Sequence, residues 1–139
     1  MRLVARAVIT ALIAIIAASC GSPKIDDLLG LWILSTGGAA PKATLRLDRS
    51  GKFELTAAPS SIVGAENTVP INIDGKGEWK LISRDGEYAV LLSFSSIQPD
   101  IGVKTPFGSP LGMSKYPRPS LYYFVGDPDA GQRVQFERQ

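Results

Sequence analysis

The sequence predicts an all-β domain, a small antiparallel up-and-down barrel or strongly bent meander of about seven or eight strands. Three observations predict it. Short segments alternate apolar and polar residues with period two, the signature of strands that bury one face. Turn-forming residues separate these segments at Asp48 to Gly51, at Asp85-Gly86 and from Gly126 to Gly131. Between them, the segments add up to one long sheet with a single apolar face, which must curl or split to cover it.

The first strand opens at Gly30 and carries Trp32, after a tether in which residues 25–29 have room for one helical turn. Residues 37–41 read as a loop. The clearest hairpin covers 44–56: Leu45 and Leu47 alternate with Thr44 and Arg46, and Phe53 and Leu55 alternate with Lys52, Glu54 and Thr56. Residues 57–67 carry mixed signals, either loop or a helical turn started by Pro59, and 69–73 reads as a short edge strand limited by Pro70. In 75–82, Gly77, Trp79 and Leu81 share one face against Lys76, Glu78 and Lys80. The Asp85-Gly86 pair is the strongest short hairpin cue, and the chain returns through Tyr88, Val90, Leu92 and Phe94. The last hairpin joins 121–125 to 133–138, with Val134 and Phe136 pointing inward.

The stretch 95–119 reads differently. It holds five of the ten prolines and no visible period, so it is expected to be a loop. Ile101, Phe107, Leu111, Met113 and Tyr116 make it too apolar for a disordered linker. Two readings stand side by side for its Pro-rich part, 99–119: a contact loop for a partner, whose prolines lower the entropy lost on binding, or a flap over one end of the barrel.

The N-terminus is organised otherwise. Arg2 and Arg6 precede an apolar run over 8–18, followed by the small residues Ala17, Ala18 and Ser19 and then Cys20. A basic start, a short apolar run and small residues mark an export signal, here expected as a signal-peptide helix. The run is shorter than the roughly 20 residues of a bilayer span. The tetrapeptide Ala17-Ala18-Ser19-Cys20 resembles the lipobox of bacterial lipoproteins, with Ala17 where that pattern prefers Leu. The resemblance implies cleavage before Cys20, lipid on its thiol and acylation of the new amino terminus. It implies a signal peptide over 1–19, a lipidated tether over 20–29 and a β domain over 30–139. Gly21, rather than Asp, after the cysteine implies transfer to the outer membrane. The plainer reading of the same run is an ordinary signal peptide with an incidental cysteine.

The Trp32 strand, the hairpin around Leu47 and Phe53, Gly77-Glu78-Trp79 and the closing segment from Tyr123 to Arg138 together resemble small bacterial lipoproteins with a lipocalin-like β domain. These motifs are structural, so the resemblance implies a fold and no activity.

Composition narrows the chemistry. Removing 1–19 leaves about 120 residues, enough for one domain. Of fifteen Lys and Arg, Arg2 and Arg6 fall in the leader, which leaves thirteen against thirteen Asp and Glu. Such a neutral chain lacks the basic footprint of nucleic-acid binders, and no nucleic-acid partner is expected. The sequence has no His and one Cys, which excludes Ser-His-Asp and Cys-His catalysis and His-ligated metals. Asp127 and Asp129 begin like a calcium loop, but no Glu follows at the needed spacing, so they read as a hairpin turn. The carboxylates lie at turns or on outward faces, without the facing pair a glycosidase uses. No catalytic residue, metal or cofactor is expected.

What remains is a non-enzymatic protein held to the envelope membrane by its N-terminal lipid. In one reading it binds another envelope macromolecule through the Pro-rich loop. In the alternative it is a lipocalin-like carrier whose pocket, lined by Trp32, Trp79, Tyr88, Phe94 and Tyr123, holds a small apolar ligand. The bland reading of those five aromatics is a filled core.

Overall fold

A computed structural model describes residues 22–35, 42–65, 71–115, 118–126, 129 and 132–139. The expected signal peptide, Cys20, Tyr116, Asp127, Val69 and Pro70 lie outside the described residues.

The chain forms a closed antiparallel barrel of eight strands in sequence order. They are β1 (Gly30–Leu34), β2 (Thr44–Leu47), β3 (Lys52–Pro59), β4 (Asn72–Arg84), β5 (Glu87–Gln98), β6 (Phe107–Ser114), β7 (Ser120–Val125) and β8 (Gln132–Arg138). Closure comes from β1 pairing with β8, with Trp32 opposite Arg138 and Leu34 opposite Phe136. Every strand thus has two neighbours, although some, such as β6 before Gly112, pair on one side over part of their length.

Alternation drives the closure. Leu45, Leu47, Phe53, Leu55, Ile73, Trp79, Val90, Leu92, Phe94, Leu121 and Phe136 all point inward and are buried, while Arg46, Glu54, Lys76, Glu78 and Lys80 face out. Burying one Leu-sized side chain stabilises by about 2 kcal/mol, so this inner surface is the main source of stability. Two bulges bend the wall where it must turn. One lies in β3 between Leu55 and Ala58, where Ala57 takes φ 53° and its N–H donates to Asp74 Oδ1 at 2.8 Å. The other lies opposite Lys76 and Gly77 of β4.

Both ends of the barrel are capped. At the base, where β1 begins, a short 3-10 turn over Ile25–Asp27 places Leu28 in the core. The Trp32 indole N–H donates to Leu28 O at 2.9 Å. Arg138 donates to Asp27 O at 2.7 Å and Leu29 O at 2.9 Å, tying the last strand to the first turn. At the far end a second 3-10 turn, Ser60–Val63, buries Ile62 and Val63, and the Ser109 hydroxyl donates to Ile62 O at 2.6 Å.

Strand assignments differ from the sequence reading in several places, and β3 runs on through 57–59, where loop or a helical turn was expected. First, within the expected loop 95–119, residues 95–98 extend β5 and 107–114 is β6, which leaves 99–106 irregular between them. Phe107, Ser109, Leu111 and Met113 alternate inward after all, against Gly108, Pro110 and Gly112. Pro110 is tolerated because β6 pairs there with β5 alone; pairing with β7 begins at Gly112. Second, Asn72 and Ile73 belong to β4, which runs unbroken to Arg84 and pairs on both sides, so they form no separate edge strand.

Candidate functional site

Trp32, Trp79, Phe94 and Tyr123 are buried together in the barrel. Phe94 stacks edge-on against Phe53, with ring centroids 5.0 Å apart at 79°. Trp79 spends its polar edge on the base, donating its indole N–H to Asp48 O at 2.9 Å. Tyr88 stands apart from these four. It is half-buried near the β4–β5 hairpin tip, and its hydroxyl donates to Ser22 Oγ at 2.9 Å.

Tyr123 meets the upper cap. Its hydroxyl and that of Ser61 lie 2.9 Å apart in a hydrogen bond. Burial raises the Tyr123 pKa above its ordinary 10.0, and the bond to Ser61 offsets part of that rise.

The interior around these rings is packed. Leu45, Val90, Leu92, Phe94, Leu111, Leu121 and Phe136 have 0% exposure. The described inner face carries Ser60, Ser109 and Ser120 as its buried polar residues, and no carboxylate among them.

The segment expected to contact a partner divides. Leu111 is wholly buried, hence core and not contact surface. Ile101, Phe107 and Met113 are half-buried and pack against that core. What the segment exposes is a polar knuckle: Pro99, Asp100, Gly102, Lys104, Thr105 and Pro106. Leu111 thus belongs to the core, Ile101, Phe107 and Met113 are shared between core and surface, and Tyr116 lies outside the described residues.

Beside this knuckle the outer wall is concave. A groove of about 560 Å³ crosses β3, β4 and β5, bordered by Lys52, Glu54, Lys76, Glu78, Ser95 and Pro106. A second hollow of about 330 Å³ continues it past Asp74 and Gln98, sharing Glu54 and Lys76 with the first. Gly77 lines the first hollow and Gly75 the second, neither with a side chain to fill it; a Cβ on Gly75 would lie 2.5 Å from the Phe94 ring. Charges of both signs line the groove, set by the register Lys52 to Glu78 and Glu54 to Lys76. The sequence showed these as outward residues. That they border a hollow is seen only in the structure, where the register shift beside Gly77 lies along it.

Among the described residues no three His, Cys, Asp or Glu gather as metal ligands. Compared with protein-family models, curated proteins and solved structures, the chain matches none.

Proposed function

We propose that the protein is a non-enzymatic, exported lipoprotein, anchored to the bacterial envelope through Cys20, whose barrel binds another envelope macromolecule on its outer wall. The observation that carries this reading is the contrast between central side chains that are wholly buried and a concave groove on the outer wall over β3–β5, flanked by Pro106. Its mixed charges suit a protein surface, where complementary charge sets partner and register. The lipobox resemblance and the export signal support the anchor, and Gly21 favours the outer membrane. A lipocalin-like carrier of a small apolar ligand requires a hollow interior, which the zero exposure of the central side chains does not support.

The test is crosslinking in intact cells. A photoreactive residue at Lys76 or Lys104 is expected to trap one envelope protein; at Arg133, on the exposed face of β8, it is expected to trap none. Equal capture at all three positions, or capture at none, overturns the outer-wall reading. A small apolar molecule extracted from the purified protein in stoichiometric amount favours the carrier instead.

A further inference from the structure

The chain leading into the barrel has almost no slack. Ser22 already contacts the β4–β5 hairpin through Tyr88. From Lys24 on, the backbone is built into the base: the Lys24 N–H donates to Asp27 Oδ2 at 3.3 Å, and Leu28 is in the core. Between Cys20 and Ser22 stands one residue, Gly21. Two residues of chain reach at most about 7 Å. Preceding them is the apolar run over 8–18.

The up-and-down topology fixes what else lies at this end. With the base at the start of β1, it also receives the 48–51 turn, the 85–86 turn, the β6–β7 connection and the end of β8. Ile25 sits here and is 53% exposed, one of two large apolar residues so exposed among the described residues. Around it the charges run both ways, with Lys24, Arg84, Lys115 and Arg118 against Asp85 and Glu87, while Asp26 is already paired with Arg49 at 2.8 Å.

From this we infer that the base of the barrel docks directly on the phospholipid headgroups of the membrane holding its anchor, with Ile25 and the β4–β5 hairpin tip at the lipid surface. The barrel then stands upright, and its far end, with the Ser60–Val63 turn and the 99–106 knuckle, faces away. The occupant is a bilayer surface because the chain outside the structure leads there within two residues. A base carrying both charge signs matches headgroups that do the same, and an exposed Ile gains by entering the interface. The inference rests on the lipid anchor proposed above.

Its test uses the full chain, made with its leader in a lipoprotein-processing bacterium and reconstituted into phosphatidylethanolamine–phosphatidylglycerol vesicles. Single cysteines are introduced as Ile25→Cys, Glu87→Cys and Asp100→Cys, and each is labelled with an environment-sensitive fluorophore. Acylated Cys20 has no free thiol, so labelling is site-specific. The intact mass of each sample reports its acyl chains. Spin-labelled lipid is expected to quench positions 25 and 87 roughly threefold more than position 100. Equal quenching in an acylated sample overturns the docked base and leaves the anchor standing. A mass without acyl chains overturns the anchor and the docking with it.

Discussion

Gly77 of β4 lies so close to Ser93 of β5 that a Cβ on the glycine would overlap the Ser93 carbonyl. The obstacle is backbone within the longest strand pairing of the barrel, so it cannot swing aside. Gly77→Ala is therefore expected to destabilise by about 3 kcal/mol or more, read as a lower urea midpoint. Gly112 offers the contrast. There a Cβ would meet the Tyr122 ring at 2.5 Å, but that ring is a side chain on the outer wall, packed against Arg133 and Phe124, which can shift together where a strand backbone cannot. Gly112→Ala is expected to cost only about 1 kcal/mol. Equal losses in the two variants would refute this distinction between backbone and side-chain crowding.

The Tyr123 phenol sets a limit at alkaline pH. Its pKa is raised in the folded barrel, chiefly by burial, so the folded chain keeps a proton that the unfolded chain releases above 10.0. That contribution is complete below pH 10 and is lost as pH climbs from there through the folded value. Tyr123→Phe removes the titrating group and the bond to Ser61 together. Near neutrality it is expected to cost about 1 kcal/mol. Above pH 10 its stability should fall less steeply than that of the parent, by denaturant titration at stepped pH. Parallel pH curves for the two proteins would contradict the assignment.

Ser120 presents an opportunity rather than a cost. Its hydroxyl is buried without a hydrogen-bond partner among the described residues. A buried donor left unpaired forfeits its solvation, so Ser120→Ala is expected to be neutral or stabilising by up to about 1 kcal/mol. A loss of stability on thermal unfolding would mean that the hydroxyl is satisfied after all.

Trp32 joins the core to the lower cap. Trp32→Phe leaves the Leu28 carbonyl without its donor and a gap where the indole stood. The expected loss is about 2–3 kcal/mol. Hydrogen exchange should also speed up at Leu28, whose N–H donates to Ile25 O at 2.9 Å within the cap. Unchanged exchange there would show that the cap holds without the indole bond, through Leu28 burial and Arg138.

Much of this barrel is legible in the sequence. Leu45 to Leu55 and Trp79 announce themselves because their outward neighbours are charged or polar, which makes the alternation visible, and β5 follows from the Asp85-Gly86 turn before it. In β6 the inward set of Phe107, Ser109, Leu111 and Met113 alternates just as regularly. Its outward partners are Gly108, Pro110 and Gly112, which read as loop residues, so a strand is concealed by the residues that do not carry it. The same masking made Leu111 look like a contact residue. The groove over β3–β5 could not be read at all: its lining comes from three strands, so it depends on the register between them. Its lining residues were visible only as an outward stripe.

The pairing of β1 with β8 makes the first strand wait for the last. Ser35 N–H meets the Gln135 carbonyl at 2.9 Å across a sequence separation of 100 residues. Until β8 arrives, β1 and β7 each present an open edge, and open edges recruit other chains. A nascent chain stopped short of Gln132 is thus an incomplete ring with two adhesive lips. The final seven-residue strand acts as a clasp, and its loss should show first as aggregation during synthesis rather than as a weaker folded protein.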